Sequence, residues 1–140
     1  MRRQRVIDAS AGRAWDIVGR PELLHLWFPG VVDCTVVGGV RTITTGTGLA
    51  LDEEILTVDP IQRRFQYRIS GGFFREHLGT VDVIELEQVA GRDRCLVVYS
   101  SDAEPATMAV ILGGATQGAL DELARQLEGP DRPVQVEVPA

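Results

Sequence analysis

The spacing of apolar residues changes period twice along the chain, and each change marks a different kind of element. Arg3 to Asp8 reads as a short strand. The following DASAGRAWDIV places Ser10 as a helix cap with Ala14, Trp15 and Val18 at helical spacing, so a short helix is predicted. Pro21 suits the first turn of a second one, PELLHLW, in which Leu23, Leu24 and Trp27 can share a face until Pro29-Gly30 ends it.

From Val31 the period becomes two. VVDCTVVGG, VRTITTGTG, LALDEEILTVDP, RRFQYRISGG, EHLGTVDVIELEQ and DRCLVVYSSD are strand-length runs separated by Gly, Asp and Pro, the pattern of an antiparallel meander. Asp59-Pro60 and Ala90-Gly91-Arg92 read as hairpin turns, whereas SGGFFREH is a longer connection carrying Phe73 and Phe74. Helical spacing returns in PATMAVILGGATQGALDELARQLEG, where Met108, Leu112, Ala115, Ala119, Leu123 and Leu127 form one stripe. Residues 1–129 are thus expected to form a single domain, and 130–140, with their prolines, a flexible tail or an edge strand.

The fold class this order predicts is α+β: a curved antiparallel sheet of about seven strands wrapped around a long C-terminal helix, with two short helices after strand 1. Such a wrap encloses more space than side chains fill, so a cavity between sheet and helix is expected. Glycines within the long helix each cost about 1 kcal/mol relative to alanine. Gly114, Ala115 and Gly118 either leave room for that cavity or permit close helix-to-sheet packing.

Composition narrows the chemistry. A formal net charge of −6 and a pI near 4.9 set the chain against phosphate backbones, so nucleic acid is not an expected partner. All 14 basic residues are arginine, which excludes Schiff-base chemistry and any lysine anchor for a carboxylate. Cys34 and Cys95 lack CxxC spacing and read as ordinary thiols. With only His25 and His77 no multi-histidine metal site can be built, and neither metal nor cofactor is expected. The start MRRQRVIDAS lacks the apolar core of ~7 to 15 residues that a secretory signal needs, and no run reaches the ~20 of a membrane helix. A cytoplasmic protein without membrane insertion, monomeric or homodimeric, is the expectation.

Strand parity nominates polar groups for the cavity, because side chains two apart share a face. If Glu85 and Glu87 face water, then Leu78, Thr80, Asp82, Ile84 and Leu86 face inward and Asp82 is a buried carboxylate with a raised pKa, unless a bulge turns it out. Of Glu53 and Glu54 one faces in and one out. An inward glutamate either binds a ligand hydroxyl, acts as a general base, or pairs with an arginine such as Arg41 or Arg68. Phe65, Tyr67 and Ile69 share a face, as do Cys95, Val97, Tyr99 and Ser101.

Several of these segments resemble the SRPBCC (START/Bet v 1-like) superfamily, and within it the bacterial polyketide cyclase/dehydrase-like proteins. VIDASAGRAWDIV, LLHLWFPGVVDC, GTG…DEEILTVDP into FQYRISGG, and CLVVYSSDAEP carry the likeness, which spans residues 3 to 128. The resemblance implies the helix-grip fold and a cavity for a small hydrophobic ligand. It implies that Trp27 is packed and Phe28 lies at the cavity mouth, that Glu53 is the inward glutamate, that the Tyr67 and Tyr99 faces point in, and that Phe73 and Phe74 sit on a lid. The expected ligand contacts are therefore Phe28, Glu53, Phe65, Tyr67, Ile69, Phe73, Phe74, Leu78, Thr80, Asp82, Val97, Tyr99, Met108, Leu112 and Ala115. Three functions follow in order: a binder of a lipid- or polyketide-like molecule; a cyclase or dehydratase with Glu53, Asp82 and Tyr99 as candidate catalytic groups; and a protein-partner module using the phenylalanine loop.

Overall fold

In the computed structural model, residues 1–129 are described. The expectations for residues 130–140 lie outside them. The elements run β1 (Arg2–Ile7), α1 (Ala11–Val18), a 3-10 turn (Pro21–Leu23), α2 (Leu24–Trp27), β2 (Val31–Val37), β3 (Val40–Thr45), β4 (Ala50–Asp59), β5 (Arg64–Ile69), β6 (Glu76–Val89), β7 (Arg92–Glu104) and α3 (Ala106–Glu128).

Ser10 caps α1 by accepting from the Arg13 N–H, and Ala11, Ala14, Ile17 and Val18 form its buried face. The six runs after Val31 pair as an antiparallel meander, and β1 returns to the edge beside β7, giving a seven-stranded sheet in the order β1-β7-β6-β5-β4-β3-β2. Gly38 and Gly39 both have positive φ, as a two-residue turn matching the twist of β2 and β3 requires. At the β4–β5 turn the Asp59 carboxylate accepts from the backbone N–H groups of Ile61 and Gln62.

One core cluster joins the two layers. Phe65, Tyr67, Val81, Val83, Cys95, Val97 and Tyr99 come from the sheet, and Ala119, Leu120, Leu123, Ala124 and Leu127 from α3. The predicted helical stripe coincides with the buried face from Ala119 onward. In the N-terminal half the buried positions are instead Ala109, Gly113 and Thr116; Met108 and Leu112 are half-buried and Ala115 is exposed. Gly113 explains the offset: a Cβ there would lie 3.2 Å from Met1 Cγ and Arg3 Nη2, so α3 approaches the sheet edge closely at this glycine.

The inward assignment on β6 is corrected. The register pairs Gly79 with Ser101, Val81 with Tyr99 and Val83 with Val97, so the inner face carries His77, Gly79, Val81 and Val83. Leu78, Thr80, Asp82, Ile84 and Leu86 occupy the outer face. Glu85 shares the inner parity but lies near the end of the strand, past the last buried position, and is exposed. Two glutamates at the exposed end of a strand, where a bulge interrupts the register, therefore gave the wrong face for its middle. Asp82 pairs in two-pronged fashion with Arg64 across the strands, at 2.7 and 2.9 Å, and is not a buried acid. Thr80 is nearly covered on that outer face by the Gln66 amide, which donates to its Oγ1 at 3.2 Å.

Candidate functional site

A cavity of about 400 Å³ lies between the sheet and α3. One end is formed by the Phe28-Pro29-Gly30 corner after α2 and by Thr45, Gly46 and Thr47 of the β3–β4 turn, which the Gly46 N–H ties to the Gly30 carbonyl at 2.9 Å. Leu112 and Ala115 supply the helix wall, and Val31, Ile43, Leu51 and Ile69 the sheet wall. Further along, the lining becomes polar, with Glu53 on β4, Tyr67 on β5 and Tyr99 on β7.

Glu53 is 3 % exposed, and its register opposite Arg41 brings two charges together inside the protein. Arg41 Nε donates to Glu53 Oε2 at 2.5 Å, and Nη1 donates to the Pro21 carbonyl at 3.3 Å, which ties the sheet to the 3-10 turn. The guanidinium lies 5.1 Å from the Phe65 ring centroid and 5.0 Å from that of Tyr67, an arrangement that stabilises a cation by the rings' negative faces. Burial raises the Glu53 pKa and Arg41 pulls it back only in part. For Arg41, burial acts to lower the pKa, but Glu53 and the two tyrosines together more than offset it, so the guanidinium stays charged.

The Tyr67 and Tyr99 hydroxyls share a hydrogen bond of 2.6 Å. Burial pushes the Tyr67 phenol well above its ordinary pKa and that of Tyr99 to about 12, so both are neutral donors rather than phenolates. Gly79 makes the pairing possible: a Cβ at that position would overlap the Tyr67 ring. Phe28 packs edge-on to both Trp27 and Tyr99, and Trp27 lies tilted against Tyr99, with centroids 6.1 to 6.4 Å apart. The adjacent aromatics of HLWFPG thus divide their work, Trp27 buried in the core and Phe28 lining the cavity.

The structure gathers Phe28, Glu53, Tyr67, Ile69, Tyr99, Leu112 and Ala115 around the cavity. Phe65 and Val97 point inward but are sealed in the core, and Met108 stands outside the lining. Phe73 is 79 % exposed and Phe74 packs against the core and His77, so neither reaches the cavity. Among the described residues the lining holds none of the β5–β6 connection, so Phe73 and Phe74 stand outside the cavity. Leu78 lines a separate outer groove of about 540 Å³ with Arg68, Arg75, Asp102 and Glu104. The Thr45–Thr47 turn, missed as a lining element, carried only a turn signal in TTGTG.

His77 is a further buried polar group, packed beside Tyr67 and Phe74. Strands β5 and β6 pair no further than Tyr67 and Gly79, and beyond that point His77 Nδ1 accepts the Ile69 N–H at 3.0 Å, replacing a ladder bond with a side chain. Nε2 therefore carries the proton, and it is buried without a partner among the described residues. Burial lowers the pKa of His77 to about 4. Among the described residues no group of His, Cys, Asp and Glu is placed to hold a metal ion, and no helix is long and apolar enough to cross a membrane.

Residues 1–128 match the family described as polyketide cyclase / dehydrase and lipid transport. No curated protein matches the chain in sequence. Among solved structures it resembles XoxI from Bacillus cereus, at 19 % identity over 91 % of this chain and 94 % of that one with a TM-score of 0.82. Norcoclaurine synthase from Thalictrum flavum, in complex with dopamine and hydroxybenzaldehyde, matches at 20 % identity over 94 % of this chain and 88 % of that one, with a TM-score of 0.67. At these identities the likeness establishes the fold, the helix-grip arrangement of an antiparallel sheet around a C-terminal helix.

Proposed function

We propose, from the premise that this chain belongs to the polyketide cyclase/dehydrase and lipid transport family, that it binds one hydrophobic or aromatic small molecule in the cavity between sheet and α3. The observation that carries this reading is a hollow of about 400 Å³ with apolar walls and three convergent polar side chains at one end. That is the composition of a small-molecule site: apolar lining supplies affinity and a few placed polar groups supply orientation.

The test uses a neutral fluorescent probe, N-phenyl-1-naphthylamine. It should bind saturably at one per chain and raise the unfolding free energy by mass action, about 2.7 kcal/mol at a concentration a hundredfold above Kd. Ala115→Trp fills the cavity from an exposed helix position and should abolish binding in a folded protein. Probe binding that is unaffected by this change would place the ligand elsewhere and refute the reading.

The same polar end favours acid–base chemistry as a second reading, since a carboxylate of raised proton affinity and two neutral phenols face one space. In that case a bound compound is converted, and Glu53→Gln removes turnover while leaving the bound complex detectable.

A further inference from the structure

Resting on the binding reading above, the polar end of the cavity also restricts what the ligand carries. Among the described residues, Glu53 is the one charged residue in the lining. Arg41, which neutralises it, stands behind the lining: Nε is spent on Glu53 Oε2, Nη1 on the Pro21 carbonyl, and the guanidinium plane is covered by Phe65 and Tyr67. Its third nitrogen, Nη2, is buried and has no partner among the described residues, but it too lies outside the lining. A ligand in the cavity therefore meets the carboxylate and not the cation.

The second Glu53 oxygen, Oε1, accepts from no group among the described residues. The two tyrosines beside it spend one hydroxyl proton on each other, leaving one O–H to give and spare lone pairs to receive. Acceptors thus outnumber donors at this end. A hydroxyl suits such a site because it donates to Oε1 and accepts from the free phenol. A carboxylate brings a second negative charge toward Glu53 with no exposed cation to offset it, in surroundings where poor dielectric screening makes that repulsion large.

We infer that the ligand is an apolar, ring-bearing molecule that ends in a hydroxyl donated to Glu53 Oε1, and that carboxylate-ended molecules of the same shape, free fatty acids included, are rejected. The three aromatic rings in the lining, Phe28, Tyr67 and Tyr99, favour a flat unsaturated body over a flexible alkyl chain.

The experiment compares three probes of one skeleton, 2-naphthol, 2-naphthoate and 2-methylnaphthalene, by titration calorimetry at neutral pH on the wild-type chain. 2-Naphthol should bind at least about tenfold more tightly than either of the others, a difference of roughly 1.4 kcal/mol. Glu53→Gln leaves the buried Arg41 charge unpaired and destabilises the chain, so the Arg41→Gln/Glu53→Gln double variant is measured beside it, each checked by circular dichroism. In either variant that folds, the hydroxyl-to-carboxylate preference should fall to about threefold or less. Binding of 2-naphthoate as tight as that of 2-naphthol would overturn the inference, by showing that Arg41 reaches the ligand. Equal binding of 2-methylnaphthalene and 2-naphthol would overturn it by removing donor recognition, as would a preference that survives in a folded variant. If none of the three binds, the cavity reading itself falls and takes the inference with it; if they bind with the wrong order, only the inference falls.

Discussion

The hydroxyls of Tyr67 and Tyr99 meet at 2.6 Å although their strands are not neighbours, since β6 runs between β5 and β7. The bond closes over Gly79, so two phenols from separate segments form one buried unit beside Glu53. Deleting either hydroxyl strands the other. Tyr67→Phe and Tyr99→Phe should each cost about 1 to 3 kcal/mol, and the double variant much less than their sum. Urea unfolding of the four proteins measures the coupling, and additive losses would mean that each hydroxyl has another partner.

Gly79→Ala isolates the role of the missing Cβ. The added methyl overlaps a ring held in a packed core, so the expected loss is about 1 to 3 kcal/mol, with Tyr67 displaced from the cavity wall. Thermal unfolding and probe affinity should fall together. A variant as stable as the parent would show that the ring can move aside freely.

His77 gives the fold a pH dependence whose sign is fixed by its hydrogen bond. Its pKa is lowered from 6.5 to about 4 on folding, so the unfolded chain binds the extra proton between those values. The stability contributed by neutral His77 is whole above about 6.5 and is lost as pH falls toward 4, up to roughly 3 kcal/mol. Protonation also turns Nδ1 into a donor facing the Ile69 N–H. His77→Asn keeps an acceptor but cannot titrate. Its urea midpoint should change less between those pH values than that of the parent, and an unchanged slope would assign the effect to other groups.

Asp82 offers a control outside the cavity. Its partner Arg64 is largely exposed, and such pairs contribute about 0 to 1 kcal/mol. Asp82→Asn should lower stability by no more than that and leave probe binding as it was. A large loss of binding would return Asp82 to the candidate site.

The order of elements, the period of each, the helix caps and the absence of lysine were all legible along the chain, because they depend on neighbours a few residues apart. From them follow the sheet wrapped on a helix, the expectation of a hollow, and Glu53, Tyr67 and Tyr99 as its polar candidates once the resemblance is added. What the tertiary structure decided depends on register and on contacts between distant segments. Which face of β6 turns inward is set by its pairing with β7, and two exposed glutamates at the strand's end pointed the other way. That Glu53 pairs with Arg41 and not Arg68 follows from β3 lying beside β4 with Arg41 opposite Glu53, while Arg68 on the outer face reaches Glu54. The β3–β4 turn bounds the cavity and the phenylalanine loop does not, because the bond from the Gly46 N–H to the Gly30 carbonyl holds that turn against the corner after α2. A one-residue change of parity or a loop's final position leaves composition and periodicity untouched, and only packing selects between them.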